Sequence, residues 1–181
     1  MMIQMETGAV IRPIREGDME FLIRLYASTR AGEQELFGWD DAQWDGFIRM
    51  QFNLQHSHYR QNYHNASLDL ILLDEKPVGR LYVSRGTEDF RIIDISVLPE
   101  YRGKGIGRRL LEALNREADT ARVPVTLHVE KHNPAMRLYL WLGFCLTKDC
   151  GTCWFMSLQP SGIREQSGVQ TVGLGLTEVP E

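Results

Sequence analysis

Cysteine is scarce in this chain: three in 181 residues, at positions 145, 150 and 153. Three thiols cannot build the disulfide framework of a small secreted domain. Cys150-Gly151-Thr152-Cys153 reads as the tip of a hairpin carrying reduced thiols. A zinc site there would need a second pair of ligands, and only Cys145 is near in sequence. Metal or redox use is the sharper alternative. An excess of positive charge is also lacking. Twenty Lys and Arg against 24 Asp and Glu leave a formal charge of −4, so charge gives no case for nucleic acid or an anionic membrane as partner. No apolar run approaches a membrane span. The first twenty residues carry Glu6, Arg12, Arg15, Glu16, Asp18 and Glu20, where a secretory signal would need an unbroken apolar core. A cytoplasmic protein is expected. No internal repeat is visible.

With 43% hydrophobic and 24% charged residues, the chain has the composition of a soluble globular protein, and its length suits one domain with a sizeable core. That domain is expected over 1–159. From Pro160 the chain changes character: "PSGIREQSGVQTVGLGLTEVPE" has four glycines, two prolines and no sustained periodicity. The 160–181 segment reads as a flexible tail, or as an arm that either folds back as a strand or contacts a neighbouring subunit, the last making a homodimer.

Val10 to Ile14 alternate as a strand, and Arg15 to Asp18 offer an N-cap for a helix with Phe21, Leu22, Leu25 and Tyr26 at helical spacing. A second helix is predicted from Asp41 to Gln55, with Trp44, Phe47, Ile48, Gln51 and Phe52 on one face. Leu68–Leu73 and Val78–Ser84 are antiparallel strands around an Asp74–Pro77 turn, followed by a strand over Phe90–Leu98. A helix runs to Ala121, burying Ile106, Leu110, Leu114, Ala118 and Ala121. Val125–Val129 is a strand, Pro134–Leu142 a helix stopped at Gly143, and Phe144–Leu158 holds two last strands. Strand, helix, strand between 90 and 129 is a βαβ unit, so its two strands are expected to be parallel. The remainder makes a mixed, mostly antiparallel sheet with helices on both faces, an α/β (α+β) fold.

The segment "YRGKGIGRRLLEAL", residues 101–114, sets a puzzle. Glycines weaken a helix, and Arg108 and Arg109 sit at the helix end that prefers negative charge. A bound anion resolves both objections. Gly103, Gly105 and Gly107 let backbone N–H groups converge where a helix leaves its first donors unpaired, and Arg102, Lys104, Arg108 and Arg109 add charge. The combination suits a pyrophosphate, although a solvated basic helix start has the same composition. It is not a P-loop, because no Gly-Lys-Ser/Thr closes it, nor the dinucleotide fingerprint, because Arg108 stands where that pattern needs glycine.

"ISVLPEYRGKGIGRRLLEAL" resembles the acetyl-coenzyme A binding segment of the GNAT N-acetyltransferases, whose pattern [QR]-x-x-G-x-[GA] is filled by Arg102, Gly105 and Gly107. "NPAMRLYLWLGF" resembles that family's second signature through Asn133, Leu138-Tyr139 and Gly143-Phe144. The resemblance covers roughly residues 10 to 158 and is strongest from 92 to 144.

The resemblance implies a GNAT fold in which the parallel strands splay and acetyl-CoA enters the gap, with no metal. Its pantetheine arm would pair with Ile95, Ser96 and Val97, and its pyrophosphate would lie on Gly103, Lys104, Gly105, Ile106, Gly107 and Arg108. The Val97 N–H would polarise the thioester carbonyl. Asn133 would hold the pantetheine arm, and Tyr139 would protonate the leaving thiolate. Taken alone, Tyr139 is equally a half-buried aromatic of a helix.

The general base is the gap in the match. A lysine-like amine is deprotonated about once in 2,500 molecules at pH 7, a cost of roughly 4.6 kcal/mol. Relatives place Glu or His two or four residues ahead of the Val97 position, where this chain has Ile95 and Ile93. Asp94 and Ser96 should point to the opposite face of that strand. Asp94, Glu130 and His128 are the alternatives, each with a surface or packing role as the plainer reading; a water chain or a low-pKa acceptor would also serve.

The acceptor is expected beside "ELFGWDDAQWDGF", where Trp39 and Trp44 mix with Glu35, Asp40, Asp41 and Asp45, a cradle for a cationic amine unless Trp44 is core and the acids solvate a helix start. His56, His58 and His64 lack further ligands at metal spacing and read as surface or acceptor-cleft histidines. The leading expectation is acetyl transfer to an amine of a small molecule or a peptide. A non-catalytic coenzyme A binding module competes with it. A plain nucleotide-phosphate binder would leave Asn133 and Tyr139 without a role.

Overall fold

The computed structural model describes residues 3–4 and 9–163, without the side chains of Ile3, Gln4 and Glu35. Its strands and helices are β1 (Ile3–Gln4), β2 (Ala9–Pro13), α1 (Met19–Ser28), α2 (Ala31–Phe37), α3 (Asp41–Asn62), β3 (Ala66–Leu73), β4 (Lys76–Arg85), β5 (Phe90–Val97), α4 (Ile106–Ala121), β6 (Val125–Glu130), α5 (Met136–Trp141), β7 (Cys145–Asp149) and β8 (Cys153–Leu158). Two compact units divide the chain. Among the described residues, those up to Val83 with Asp94–Arg102 form the first, and Ser84–Ile93 with those from Gly103 onward the second.

In the first unit the strands follow one another as β1-β2-β3-β4-β5. β2 and β3 are antiparallel from Ala9↔Leu73 to Pro13↔Asp69. β3 and β4 are joined by Asp74 and Glu75 alone, at φ 49° and 63°, the two left-handed residues of a tight hairpin turn. Lys76 and Pro77, expected in the turn, already belong to the strand. Against β3 lies a core of Phe21, Leu22, Leu25 and Tyr26 from α1 with Trp44, Ile48 and Phe52 from α3, closing on Leu70. Entry to α1 is set by Asp18, whose carboxylate accepts from the Arg15 N–H at 2.7 Å and from Arg12 at 2.7 and 2.8 Å.

α3 starts on a reciprocal cap: the Gln43 N–H donates to Asp40 at 2.9 Å, and the Asp40 N–H to the Gln43 side chain at 3.1 Å. The helix runs seven residues beyond its expected end at Gln55. His56 to Tyr59 and Asn62 are indifferent helix formers beside the better Arg60 and Gln61, and tertiary contacts help carry the extension. Tyr59 meets Tyr82 of β4 edge to face at 6.0 Å. The seven-residue α2 and the two-residue β1 were not predicted, being too short for periodicity to register.

In the second unit β5 and β6 are the parallel pair, as expected. Their ladder comprises Phe90↔Val125, Arg91↔Thr126 and Ile92↔Leu127, and ends there. β6 continues antiparallel against β8 from Val125↔Leu158 to Glu130↔Cys153. β7 pairs with β8, with a bulge between Leu146 and Lys148. α4 buries Ile106, Leu110, Leu111, Leu114 and Ala118. Ala121, expected in that stripe, is exposed, because the chain leaves the helix at Arg122 in a left-handed conformation. Of the 160–181 segment, 164–181 lie outside the described residues. Its beginning is tied down: Ser161 donates from N and Oγ to the Asp119 carboxylate at 2.9 and 2.6 Å.

Candidate functional site

In the first unit, β4 reads Val78 to Val83 as an apolar run interrupted by Arg80. A charge buried in such a strand needs partners. Arg80 Nε donates to Asp94 Oδ1 at 3.0 Å and Nη2 to Asp94 Oδ2 at 2.7 Å, while Nη2 also reaches Gln55 Oε1 at 3.0 Å. Ser96 Oγ donates to the same Asp94 at 2.8 Å, and the Tyr59 hydroxyl lies 3.5 Å away. Asp94 and Ser96 thus share one face of β5, as alternation predicts. Burial and the Asp94 charge push the Tyr59 phenol up, and burial pushes Tyr82 up to about 12. Arg80, Gln55 and Tyr59 were missed by the sequence reading, although an arginine inside an apolar strand was the available signal.

β5 closes on Val97. The Leu98 N–H donates to the Val78 carbonyl at 2.9 Å, and Pro99 opens a single helical turn to Tyr101. Arg102 then turns back, its Nε donating to the Val97 carbonyl at 2.8 Å. The guanidinium predicted on the phosphate is therefore at least partly occupied with the end of β5.

The aromatic segment expected at the acceptor forms a stack. Trp39 lies 4.8 Å from Phe37 and 4.9 Å from Phe47, ring to ring, and Trp44 is buried. Asp40 caps α3, and Asp45 pairs with Arg49 at 2.8 Å. Both acids have structural employment, the plainer of the two readings. His56 stacks on Phe52 at 5.5 Å. Its pKa is lowered by burial and by the nearby Arg60 and Arg80. Among the described residues no group of three or more His, Cys, Asp or Glu is placed to hold a metal.

In the second unit Gly103 and Gly105 have φ of 69° and 73°, which other residues adopt at a steric cost. α4 begins directly after Gly105, its first backbone bond running from the Arg109 N–H to the Gly105 carbonyl at 3.1 Å. No side chain caps this end and no acid lies in the first turn. The N–H groups of Ile106, Gly107 and Arg108 precede the first helical donor, with the positive end of the helix dipole behind them. At Gly107 a methyl group would meet only Leu138, at an ordinary 3.9 Å. This end of α4 fits a pyrophosphate in both geometry and charge. Arg108 is partly taken up by the protein: its guanidinium lies over the Trp141 ring at 5.7 Å and 3.8 Å from Glu112. Trp141 is 41% exposed and forms this platform.

Asn133 folds the turn that leads into α5, its Oδ1 accepting from the Ala135 N–H at 2.9 Å, so the Nδ2 donors are what it can offer a ligand. Tyr139 is buried, its ring 5.7 Å from Phe144. Glu130 is exposed at the end of β6, in register with Cys153. His128 is exposed at the residue level but packs its ring 4.9 Å from Phe155, and the partial desolvation there, with Arg91 and Lys148, lowers its pKa. All three cysteines are free thiols, Cys150 and Cys153 bracketing the hairpin turn. No described helix is long and apolar enough to cross a membrane.

Solved structures resemble this fold. PaiA N-acetyltransferase from Thermoplasma acidophilum, in complex with coenzyme A, aligns with a TM-score of 0.63 at 18% identity over 83% of this chain and 98% of its own. The ribosomal-protein-S18-alanine N-acetyltransferase of Escherichia coli gives 0.58 at 19% over 83% and 93%. Arabidopsis thaliana Naa50, in complex with the bisubstrate analogue CoA-Ac-MVNAL, gives 0.57 at 18% over 84% and 99%. No curated protein matches the sequence. At these identities the structural likeness speaks to the fold, while the family assignment comes from the sequence itself: the model of the acetyltransferase (GNAT) family matches residues 32–144, well over half of the chain, and the chain belongs to that family.

Proposed function

We propose that the protein transfers the acetyl group of acetyl-CoA to a primary amine of a small molecule or a peptide. The observation that carries the reading is the uncapped start of α4 after two left-handed glycines, in a chain of an acetyltransferase family. Acetyl-CoA supplies an activated thioester. The N–H groups from Gly103 to Arg108, with the Lys104 charge, bind its pyrophosphate. Ile95, Ser96 and Val97 offer a strand edge to its pantetheine arm, and the Val97 N–H hydrogen-bonds the thioester oxygen, where charge develops. Asn133 orients the arm through Nδ2. Tyr139 holds the proton that the leaving thiolate takes.

For the base, Glu130 is the preferred candidate. Both oxygens of Asp94 already accept from Arg80, whereas Glu130 is an exposed carboxylate at a strand end. Two of the structural relatives are a ribosomal-protein-S18-alanine N-acetyltransferase and Naa50 bound to the bisubstrate analogue CoA-Ac-MVNAL, which favours a peptide amine among the acceptors. Thiol release from acetyl-CoA, screened over a panel of amines and short peptides, tests the proposal. Turnover on a subset is expected. Tight coenzyme binding without turnover on any acceptor would favour the binding-module reading, to which the engaged Asp94 lends weight.

A further inference from the structure

Gly79 lies in the strand β4, and its missing side chain is demanded by a neighbouring peptide of β5. A methyl group there would run into the Ser96 carbonyl oxygen, and would lie 3.2 Å from Val97 Cα and 3.0 Å from Ile71 Cδ1. The Ser96 carbonyl therefore points at the face of Gly79. The Ser96–Val97 peptide is trans, and in a trans peptide the C=O and N–H point in opposite directions. The Val97 N–H is thus aimed away from β4. Two further contacts fix the flanks of this peptide. Arg102 Nε holds the Val97 carbonyl at 2.8 Å, and the Leu98 N–H reaches the Val78 carbonyl at 2.9 Å, one residue before Gly79. On the other side Ser96 Oγ is tied to Asp94, itself clamped by Arg80.

We propose that Gly79 is a positioning residue: its bare Cα lets the Ser96 carbonyl seat against β4 and thereby aims the Val97 N–H at the thioester oxygen. The inference rests on the proposed acetyl transfer with Val97 as the oxyanion donor. Any side chain at 79 displaces the peptide whose N–H does that work. A misplacement of about 1 Å in such a group costs about a hundredfold in rate.

The test compares wild type with Gly79→Ala. Turnover with the best acceptor is expected to fall ten- to a hundredfold in kcat. Affinity for the 3′-phosphorylated ADP portion of coenzyme A, which has no thioester, should stay within about twofold. Should Gly79→Ala fail to fold, the Gly79→Ala, Ile71→Val double variant relieves the Cδ1 contact while leaving the clash with Ser96. A measurement on wild type alone covers failure of both: the Val97 amide proton should move downfield in NMR with an acetyl-CoA analogue that keeps the carbonyl but cannot transfer it, relative to coenzyme A. A folded Gly79→Ala enzyme with wild-type kcat, or a Val97 amide indifferent to the carbonyl, overturns the inference. A wild type inactive on every acceptor strikes the acetyl-transfer reading instead, and the amide shift then still decides whether Val97 receives the carbonyl.

Discussion

Arg80 and Asp94 face each other as a two-pronged ion pair, Nε to Oδ1 at 3.0 Å and Nη2 to Oδ2 at 2.7 Å, with the arginine side chain only 3% exposed. A buried pair of this kind contributes little net stability over a matched apolar pair, but removing one partner strands a charge. Asp94→Ala is expected to destabilise the fold by about 3–5 kcal/mol, by the usual cost of breaking such a pair. Arg80→Met combined with Asp94→Leu should recover most of that loss, read by denaturant unfolding. If Asp94→Ala unfolds like wild type, the pair does not exist in solution.

The turn before α4 makes the second prediction. Acetyl-CoA at a hundredfold excess over its dissociation constant should stabilise the native state by about 2.7 kcal/mol, seen as a rise in melting temperature. Gly105→Glu places a carboxylate against the phosphate and a side chain at φ 73°, so the ligand-induced rise should vanish. Gly105→Ala separates strain from charge: it should lower the unliganded stability by about 1–2 kcal/mol while keeping part of the ligand response. An undiminished response in a folded Gly105→Glu protein would place the phosphate elsewhere.

Tyr139→Phe removes one oxygen and keeps the ring against Phe144. Stability should change by about 1 kcal/mol or less, and coenzyme affinity should be retained. Turnover should drop about ten- to a thousandfold where chemistry limits the rate. Glu130→Gln, measured in parallel, should lower turnover about a hundredfold or more if that carboxylate takes the amine proton. Full activity of Tyr139→Phe from about pH 6 to 9 removes the tyrosine from the mechanism.

His56 and His128 predict a pH dependence of folding. Burial comes first among the causes that lower both pKa values, so the unfolded chain binds protons at a pH where the folded protein resists them. Their contribution is complete above the unfolded value near 6.5 and is lost as pH falls towards the depressed folded values. Melting temperature should therefore decline between about pH 7 and 5, and His56→Gln with His128→Gln should make that decline shallower. An identical slope in the double variant would assign the dependence to other groups.

What could be read from the chain alone was whatever is local or periodic. The α4 stripe Ile106, Leu110, Leu114, Ala118 repeats at helical spacing and is buried. The βαβ order from 90 to 129 follows from strand and helix patterns lying in sequence. The glycines at 103, 105 and 107 marked where backbone N–H groups could converge at a helix start, while the left-handed φ of Gly103 and Gly105 came from the structure. Tertiary structure decided what depends on partners distant in sequence. The bond between Arg80 and Asp94 spans fourteen residues and that between Tyr59 and Asp94 thirty-five, so no spacing rule could pair them. The extension of α3 to Asn62 carries no apolar periodicity of its own and is sustained by such contacts. Gly79 reads in sequence as a weak spot in a strand. Only the arrival of the Ser96 carbonyl on its face explains it, because a close approach between two backbones is a property of their packing and leaves no mark on either segment by itself.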